Sequence, residues 1–337
     1  MAAVSNKTLL LSDLNSDVVP IHYIRPISER PNLTDIITSD IPIVDLRGID
    51  GADHSSIVKA IGLASTTMVS LTQLIESMLC VAREFFRLPE SERNAKYSDN
   101  PSKANRLSTS FNVHTEKIGC WRDYLRLHCH PLEEFVHEWP SNPPSFRDVA
   151  ARYSRKIREL ACKLLSCISE SLGLEKDWME KSLEDFGQHM AINYYPPCPD
   201  PELVYGLPAH KDPNVVTLLL QDTVPGLQIL KNGNWVAVNP IPNNSIIVNL
   251  GDQIQVLSNG RYKSVLHRAV VNSDKERISI PTFCCPSMDA VIESHKSFLN
   301  QHHNKQLYRS FTYGDYYKAF WNRGLSQESC LDLFTNP

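Results

Sequence analysis

The sequence predicts an α+β chain with a mainly β core, and three observations predict it. Helical periodicity dominates the first half of the 337 residues. From about residue 188 the texture turns to short runs rich in Val, Ile, Leu and Tyr. Asn-Gly pairs in KNGN and SNGR then carry a hairpin signal between such runs. Many short strands at regular spacing suggest a sandwich or a barrel, with a jelly roll among the options. A helical layer resting on that β core completes the expectation.

Taken in order, IPIVDL (Ile41 to Leu46) reads as a short apolar strand. Leu74 to Leu88 has helical spacing, with Ile75, Met78, Leu79, Ala82, Phe85 and Phe86 on one face and Pro89 just after it. A longer helix starts after Ser145, an N-cap with Asp148 three residues on in the manner of a capping box. Val149, Tyr153, Ile157, Leu160, Leu164, Ile168 and Leu172 form its core stripe, and Gly173 ends it. The strand-like runs that follow are HMAINYY, VVTLLLQ, LQILKNGNWVAV, SIIVNLGDQIQVLSNG, SVLHRAVV and RISIPTFCC. FTYGDYYKAFWNR near the end reads as a helix, with Tyr316, Phe320 and Tyr317 facing inward. The division expected is a mainly helical region at 1–185, a β core at 186–290 and a C-terminal helical segment at 291–337.

Composition excludes several classes of function. A formal charge of -4 offers no basic field for nucleic acid. No apolar stretch approaches membrane-spanning length, and the N-terminus lacks a basic region followed by an apolar one. The expected location is cytoplasmic, and nothing demands more than a monomer. The 9 cysteines are odd in number and irregularly spread, which argues against a disulfide framework. Cys284 and Cys285 are adjacent, so on a strand they point to opposite faces.

One constellation carries chemistry. His210 and Asp212 are two apart and share a strand face. His267, in SVLHRAVV, is the candidate third ligand from a neighbouring strand. Two imidazoles and a carboxylate on one side of a metal form the facial triad of non-haem Fe(II) oxygenases, with open positions opposite. Ten residues on, Arg277 and Ser279 also share a face, and a guanidinium fork beside a hydroxyl suits a carboxylate. Tyr195, in NYYPPCP, brings a phenol toward the same anion. A hydrolytic zinc site leaves Arg277, Ser279 and Tyr195 without a role.

These pieces, in this order and spacing, resemble the plant Fe(II)- and 2-oxoglutarate-dependent oxygenases. IPIVDL, AREFFRLP, WRDYLRLHCHP, GLQIL and NLGDQIQVLSNG extend the resemblance over most of the chain. It implies a double-stranded β-helix, a jelly-roll core flanked by helices, with residues 186–290 as the oxygenase core. It also implies that His210, Asp212 and His267 ligate iron, that Arg277 and Ser279 grip 2-oxoglutarate, and that Tyr195 and Asn193 assist. Oxygen is then the co-substrate and ascorbate the reductant.

RLSTSFNV, WRDYLRLHCHPLEEFVHEWPSNPPSF and NYYPPCPDPELVYGLPAH look most similar to the downy-mildew-resistance type, associated with salicylate hydroxylation. Related flavone synthases act on flavanones, as in naringenin to apigenin. The implied substrate residues are Phe283, Tyr124 and Arg126, around a small phenolic. Arg126 has a plainer role open to it, a salt bridge with Glu133 or Glu134. His128 and His130 share a strand face like a metal pair but are read as structural or pocket-rim residues.

Two departures from the family pattern stand out. Lys211 occupies the middle of H-x-D, where relatives usually carry Thr, and should point away from the metal. STTMVSLTQ replaces a glycine–aromatic–aromatic strand and an Asn-His-Gly turn. That predicts a missing strand near 65–73 and, as an alternative of another class, an oxygenase-like chain with impaired catalysis.

Overall fold

The computed structural model describes residues 10–14, 17–34, 36–38, 41–42, 44–46, 48–63, 66–70, 74–240, 245–299, 305–326 and 328–337, with the backbone alone at 38 and 66–70. Its helices are α1 (His54–Gly62), α2 (Leu74–Phe86), α3 (Glu90–Asn94), α4 (Leu132–Phe135), α5 (Phe146–Ser171), α6 (Trp178–Ser182), α7 (Asp252–Leu257) and α8 (Tyr313–Arg323). The strands that build the site are β1 (Ile37–Thr38), β2 (Thr66–Ser70), β3 (Arg106–Thr109), β4 (Asp123–His130), β5 (Gly187–Tyr195) and β6 (Leu207–His210). They continue with β7 (Val216–Gln221), β8 (Leu227–Lys231), β9 (Asn234–Ala237), β10 (Ser245–Leu250), β11 (His267–Ala269) and β12 (Arg277–Cys285).

Among the described residues these strands form two sheets. The major sheet runs β2-β10-β7-β12-β5-β4-β3 and the minor one β1-β9-β8-β11-β6. Leu219 and Ile247 of the major sheet meet Leu227, Ile229 and Val236 of the minor sheet in one apolar cluster, so the two sheets face each other. On its other face the major sheet lies under helices. Leu218, Ile280, Met190 and Leu127 join the stripes of α2 and α5 in the main hydrophobic cluster. This is the jelly roll flanked by helices that the strand-rich second half predicts.

The strand period explains how one sheet serves both faces. On β12, Ile278, Ile280 and Cys284 are fully buried in the helix-side cluster. Arg277, Ser279, Pro281 and Phe283, one residue out of phase, line the space between the sheets. The same alternation places His189, Ala191 and Asn193 of β5 inward, and Met190 and Ile192 outward.

Several local expectations change. A strand does occupy the 65–73 segment: β2 pairs antiparallel with β10 from Asn249↔Thr66 to Ser245↔Ser70. Sheet pairing uses backbone groups, and the β-branched Thr66, Thr67 and Val69 suit a strand without aromatic bulk. Residues 64–65 and 71–73 lie outside the described residues. IPIVDL is not a strand at its described positions, although Val44 is buried. Pro42 has no amide hydrogen to give a ladder.

In SIIVNLGDQIQVLSNG the strand stops at Leu250 and α7 begins at Asp252, wholly buried. A short apolar run does not distinguish a buried helix from a strand by period alone. Only the first Asn-Gly pair makes a hairpin, with Asn232 and Gly233 both at positive φ between β8 and β9. The second terminates α7, where the Gly260 amide donates to the Gln255 carbonyl at 2.7 Å. At α5 Ser145 is the N-cap residue but its hydroxyl makes no capping bond. Asp148 instead pairs with Arg152 at 2.8 Å.

Candidate active site

β6 and β11 are antiparallel neighbours, and their register sets His210 directly opposite His267. Asp212 follows β6 by two residues. The three side chains offer ligand atoms within 4.8 Å of one another. Nε2 of His210 and Nε2 of His267 each lie 3.7 Å from Asp212 Oδ1. Both rings are aimed from behind: Nδ1 of His210 donates to the Pro208 carbonyl at 2.8 Å, and Nδ1 of His267 to the Val265 carbonyl at 3.0 Å. That fixes the tautomer and leaves both Nε2 lone pairs toward Asp212. Thr217 Oγ1 donates to Asp212 Oδ2 at 2.6 Å and holds the carboxylate. Burial, and then the neighbouring His267, holds the His210 imidazole well below the ordinary histidine range, so it stays neutral. Two imidazoles and one carboxylate on one side of a shared point fit a divalent iron.

The loop after β6 is clamped by the start of α7. The Asp252 amide donates to the Asp212 carbonyl at 2.9 Å, and Gln253 Nε2 to the Pro213 carbonyl at 2.7 Å. Lys211 is half-buried, and its charge acts on the carboxyl of Asp252 rather than joining the ligand cluster.

Two cavities meet here, sharing Arg122, Leu207, His210, Asp212 and Phe283. The smaller, about 60 Å³, contains Asn193, Tyr195, His267, Arg277 and Ser279. Register produces this grouping: β12 and β5 pair Arg277↔Tyr195 and Ser279↔Asn193. Arg277 donates through Nε to the Val224 carbonyl at 3.1 Å and through Nη2 to Gln221 Oε1 at 3.0 Å. Its Nη1 has no partner among the described residues. Its guanidinium lies 5.2 Å from the Tyr195 ring centre. A side chain at Gly226 would meet Arg277 Cδ at 2.7 Å, so only glycine lets that arginine lie where it does. Asn193 Nδ2 donates to Ser279 Oγ at 3.3 Å.

The larger cavity, about 110 Å³, brings together all three expected substrate residues, Tyr124, Arg126 and Phe283. Arg126 makes no ion pair with Glu133 or Glu134. It donates to the Ala104, Pro101 and Lys103 carbonyls, and Glu133 faces Arg155 instead. His128 and His130 are no metal pair, because the β4–β5 register shifts between them. His128 stacks on His189 at 5.6 Å, whereas His130 turns out toward Asp185.

Sequence reasoning missed several wall residues. His189 stacks on Phe283 at 4.9 Å, and burial holds its imidazole well below the ordinary range. Tyr317 and Trp321 reach the cavity from α8, one turn apart, and Trp321 stacks on Phe111 at 4.9 Å. Their spacing was legible, but the cavity they face was not. Arg122 carried no signal beyond its charge.

Comparison with known proteins agrees with this architecture. Residues 186–286 match the 2OG-Fe(II) oxygenase superfamily, and residues 41–143 match the N-terminal region of the non-haem dioxygenases in morphine synthesis. Protein DMR6-LIKE OXYGENASE 1 of Arabidopsis thaliana is 52% identical over 349 residues, covering 100% of this chain and 99% of the relative. Flavanone 3-dioxygenase 2 of Oryza sativa subsp. japonica is 51% identical over 336 residues, with 96% of each covered. The crystal structure of JOX2 in complex with 2OG, Fe and JA superposes with a TM-score of 0.86 at 34% identity, covering 98% of both chains.

Proposed function

This chain belongs to the 2OG-Fe(II) oxygenase superfamily, and from that premise we propose that it hydroxylates a small phenolic acid, salicylate first. As a 2-oxoglutarate-dependent dioxygenase it works with Fe(II) and 2-oxoglutarate. In this reading His210, Asp212 and His267 hold the iron. Arg277 and Ser279 take the distal carboxylate of 2-oxoglutarate, beside Tyr195 and Asn193. Phe283, Tyr124 and Arg126 bound the phenolic. Bound iron, with 2-oxoglutarate and oxygen, supplies the oxidising power that removes a substrate hydrogen. The chain's own residues orient the two anions and keep water from the space between them.

One observation carries the reading: the two cavities meet at His210 and Asp212. One wall offers a guanidinium beside a hydroxyl, the other aromatic rings and guanidinium groups. The wider cavity, about 110 Å³, compares with the roughly 150 Å³ apolar cavity that accepts one benzene ring. That scale favours a single ring over a flavanone, the adjoining smaller cavity gives room beyond one benzene, and the charge of Arg126 favours an acid. The likeness to the downy-mildew-resistance type supports salicylate. The chain would act as a cytoplasmic monomer; no helix among its described residues is long and apolar enough to cross a membrane.

A second reading is oxidation of a flavanone, as in naringenin to apigenin; the rice relative's name favours a flavanone as substrate but not that product. This reading also draws on an outer chamber of about 390 Å³ that shares Phe111 and Leu325 with the inner one. The alternative of an impaired oxygenase keeps the missing aromatic bulk near 65–73 as its motive, although β2 is paired along the sheet edge. Succinate formation with Fe(II), 2-oxoglutarate and either salicylate or naringenin is the test. Faster turnover with salicylate is expected. The reverse order selects the flavanone, and equal, substrate-independent turnover sinks both.

A further inference from the structure

Three arginines converge beside the wider cavity: Arg106 on β3, Arg122 just before β4 and Arg126 on β4. Arg106 and Arg122 are buried, at 3% and 7% exposure, and Arg126 is half-buried. None of the three forms an ion pair among the described residues. Arg106 donates to the Ser98 carbonyl and to the Tyr124 hydroxyl. Asp123, next to Arg122 in sequence, faces away and accepts from the amides of Leu11 and Ser12. The one carboxylate that lines the cavity is Asp212, which belongs to the metal cluster.

A buried cation without a counter-charge is costly unless something else supplies one. Tyr124 offsets part of that cost, with its ring 4.7 Å from the Arg122 guanidinium and 5.5 Å from that of Arg106. The ring carries no formal charge, so the cluster keeps a net positive charge that an anionic ligand would offset.

Of the three, Arg122 is the one at the junction. It alone among them lines both cavities. Its Nε donates to the Ser110 carbonyl at 3.0 Å and its Nη1 to Asn193 Oδ1 at 3.0 Å. Nη2 has no partner among the described residues. Asn193 in turn donates to Ser279 Oγ at 3.3 Å. Arg126 likewise spends two guanidinium nitrogens, Nε and Nη2, on carbonyls, but it stays outside the smaller cavity.

We infer that Arg122 anchors the carboxylate of the phenolic substrate at this junction. Through Asn193 and Ser279 it ties that anion to the 2-oxoglutarate pocket. The inference rests on the reading above in treating Ser279 as part of that pocket. It moves the main substrate anchor from Arg126 to Arg122 and makes occupancy of one cavity felt in the other. Losing the guanidinium removes the preference for an anionic ring and loosens Asn193 against Ser279 at once.

The test uses binding before turnover. Salicylate and its neutral methyl ester are titrated into the full-length, metal-free protein, followed by tryptophan fluorescence. Wild type is expected to prefer salicylate by at least about tenfold. Arg122→Gln is expected to bring that ratio near one, while Arg126→Gln keeps most of it. In a second arm Fe(II) is added without oxygen, and 2-oxoglutarate is titrated through the visible band of the chelated keto acid. Half-saturation is expected to rise about three- to tenfold in Arg122→Gln.

A folded Arg122→Gln variant that keeps the salicylate preference overturns the anchor role, and one that binds 2-oxoglutarate like wild type overturns the link. Should Arg122→Gln not fold, Arg122→Lys takes its place, since lysine keeps the charge but cannot span Asn193 and the anion together. It is expected to keep the preference and raise the 2-oxoglutarate half-saturation, and unchanged half-saturation overturns the link. Wild-type protein that ignores salicylate sinks the phenolic reading and the anchor role with it, whereas an unchanged 2-oxoglutarate half-saturation in the variant sinks only the link through Asn193 and Ser279.

Discussion

The two faces of β12 differ in everything but their backbone. Toward the helices, Ile278, Ile280 and Cys284 are fully buried among apolar neighbours. Toward the minor sheet, Arg277, Ser279 and Phe283 line cavities together with the metal cluster. The first face supplies stability through area removed from water. The second spends stability by burying charged and polar groups, which the proposed function gives to ligands. Adjacent residues on one strand can therefore be changed with opposite consequences.

The sharpest way to break this division is at the metal cluster. His210→Ala removes one of the three proposed ligands on the inner face. Fe(II)-dependent succinate formation is expected to fall at least about 100-fold, together with the anaerobic band of the keto-acid complex. The melting temperature of the metal-free protein should barely move. A band that survives the substitution would sink the ligand assignment.

Ile280→Ala is the mirror experiment on the helix side. It leaves a cavity under α2 and α5 and should cost about 2–5 kcal/mol in urea unfolding. Half-saturation by 2-oxoglutarate should stay as in wild type, and a shift there would show that the two faces are coupled.

Acid sharpens the contrast more gently, through His128 on the inner face of β4. Burial pushes its imidazole down to about 4, with Arg126 adding to the effect. The unfolded chain takes up this proton near pH 6.5, and the folded chain does not until about 4. Between those values the unfolded state binds more protons, so stability falls as pH drops through the window. The contribution is roughly 2 kcal/mol by pH 4.5. His128→Gln should flatten the slope of unfolding free energy between pH 7 and 4.5, and an unchanged slope would refute the assignment.

Legibility followed period and chemistry. The stripe from Val149 to Ile168 gave α5 because 3.6-residue spacing is local information. H-x-D, the distal His267 and R-x-S were readable because each pair's spacing sets a shared strand face. Where two structures satisfy one pattern, the pattern does not decide: the run after Leu250 reads as strand but forms α7, and Asn259–Gly260 carries a hairpin signal but ends that helix. The missing aromatics of the 65–73 segment hide its strand from the sequence, because an edge strand needs only a backbone partner, which β10 provides. Arg122, His189 and Trp321 were invisible because nothing in their neighbourhoods says which cavity they face.

Residue types and their spacing supply the chemical inventory: two imidazoles, a carboxylate, a guanidinium with a hydroxyl, and the strand phases that turn them inward. Tertiary structure alone decided which of these meet. Register between β6 and β11 brought His210 opposite His267, and register between β4, β5 and β12 stacked Tyr124, Asn193 and Ser279 in one row. Pairing across a sheet joins residues many tens of positions apart through backbone hydrogen bonds that carry no side-chain label. A lone buried arginine therefore shows what it lacks only once its neighbours are in place.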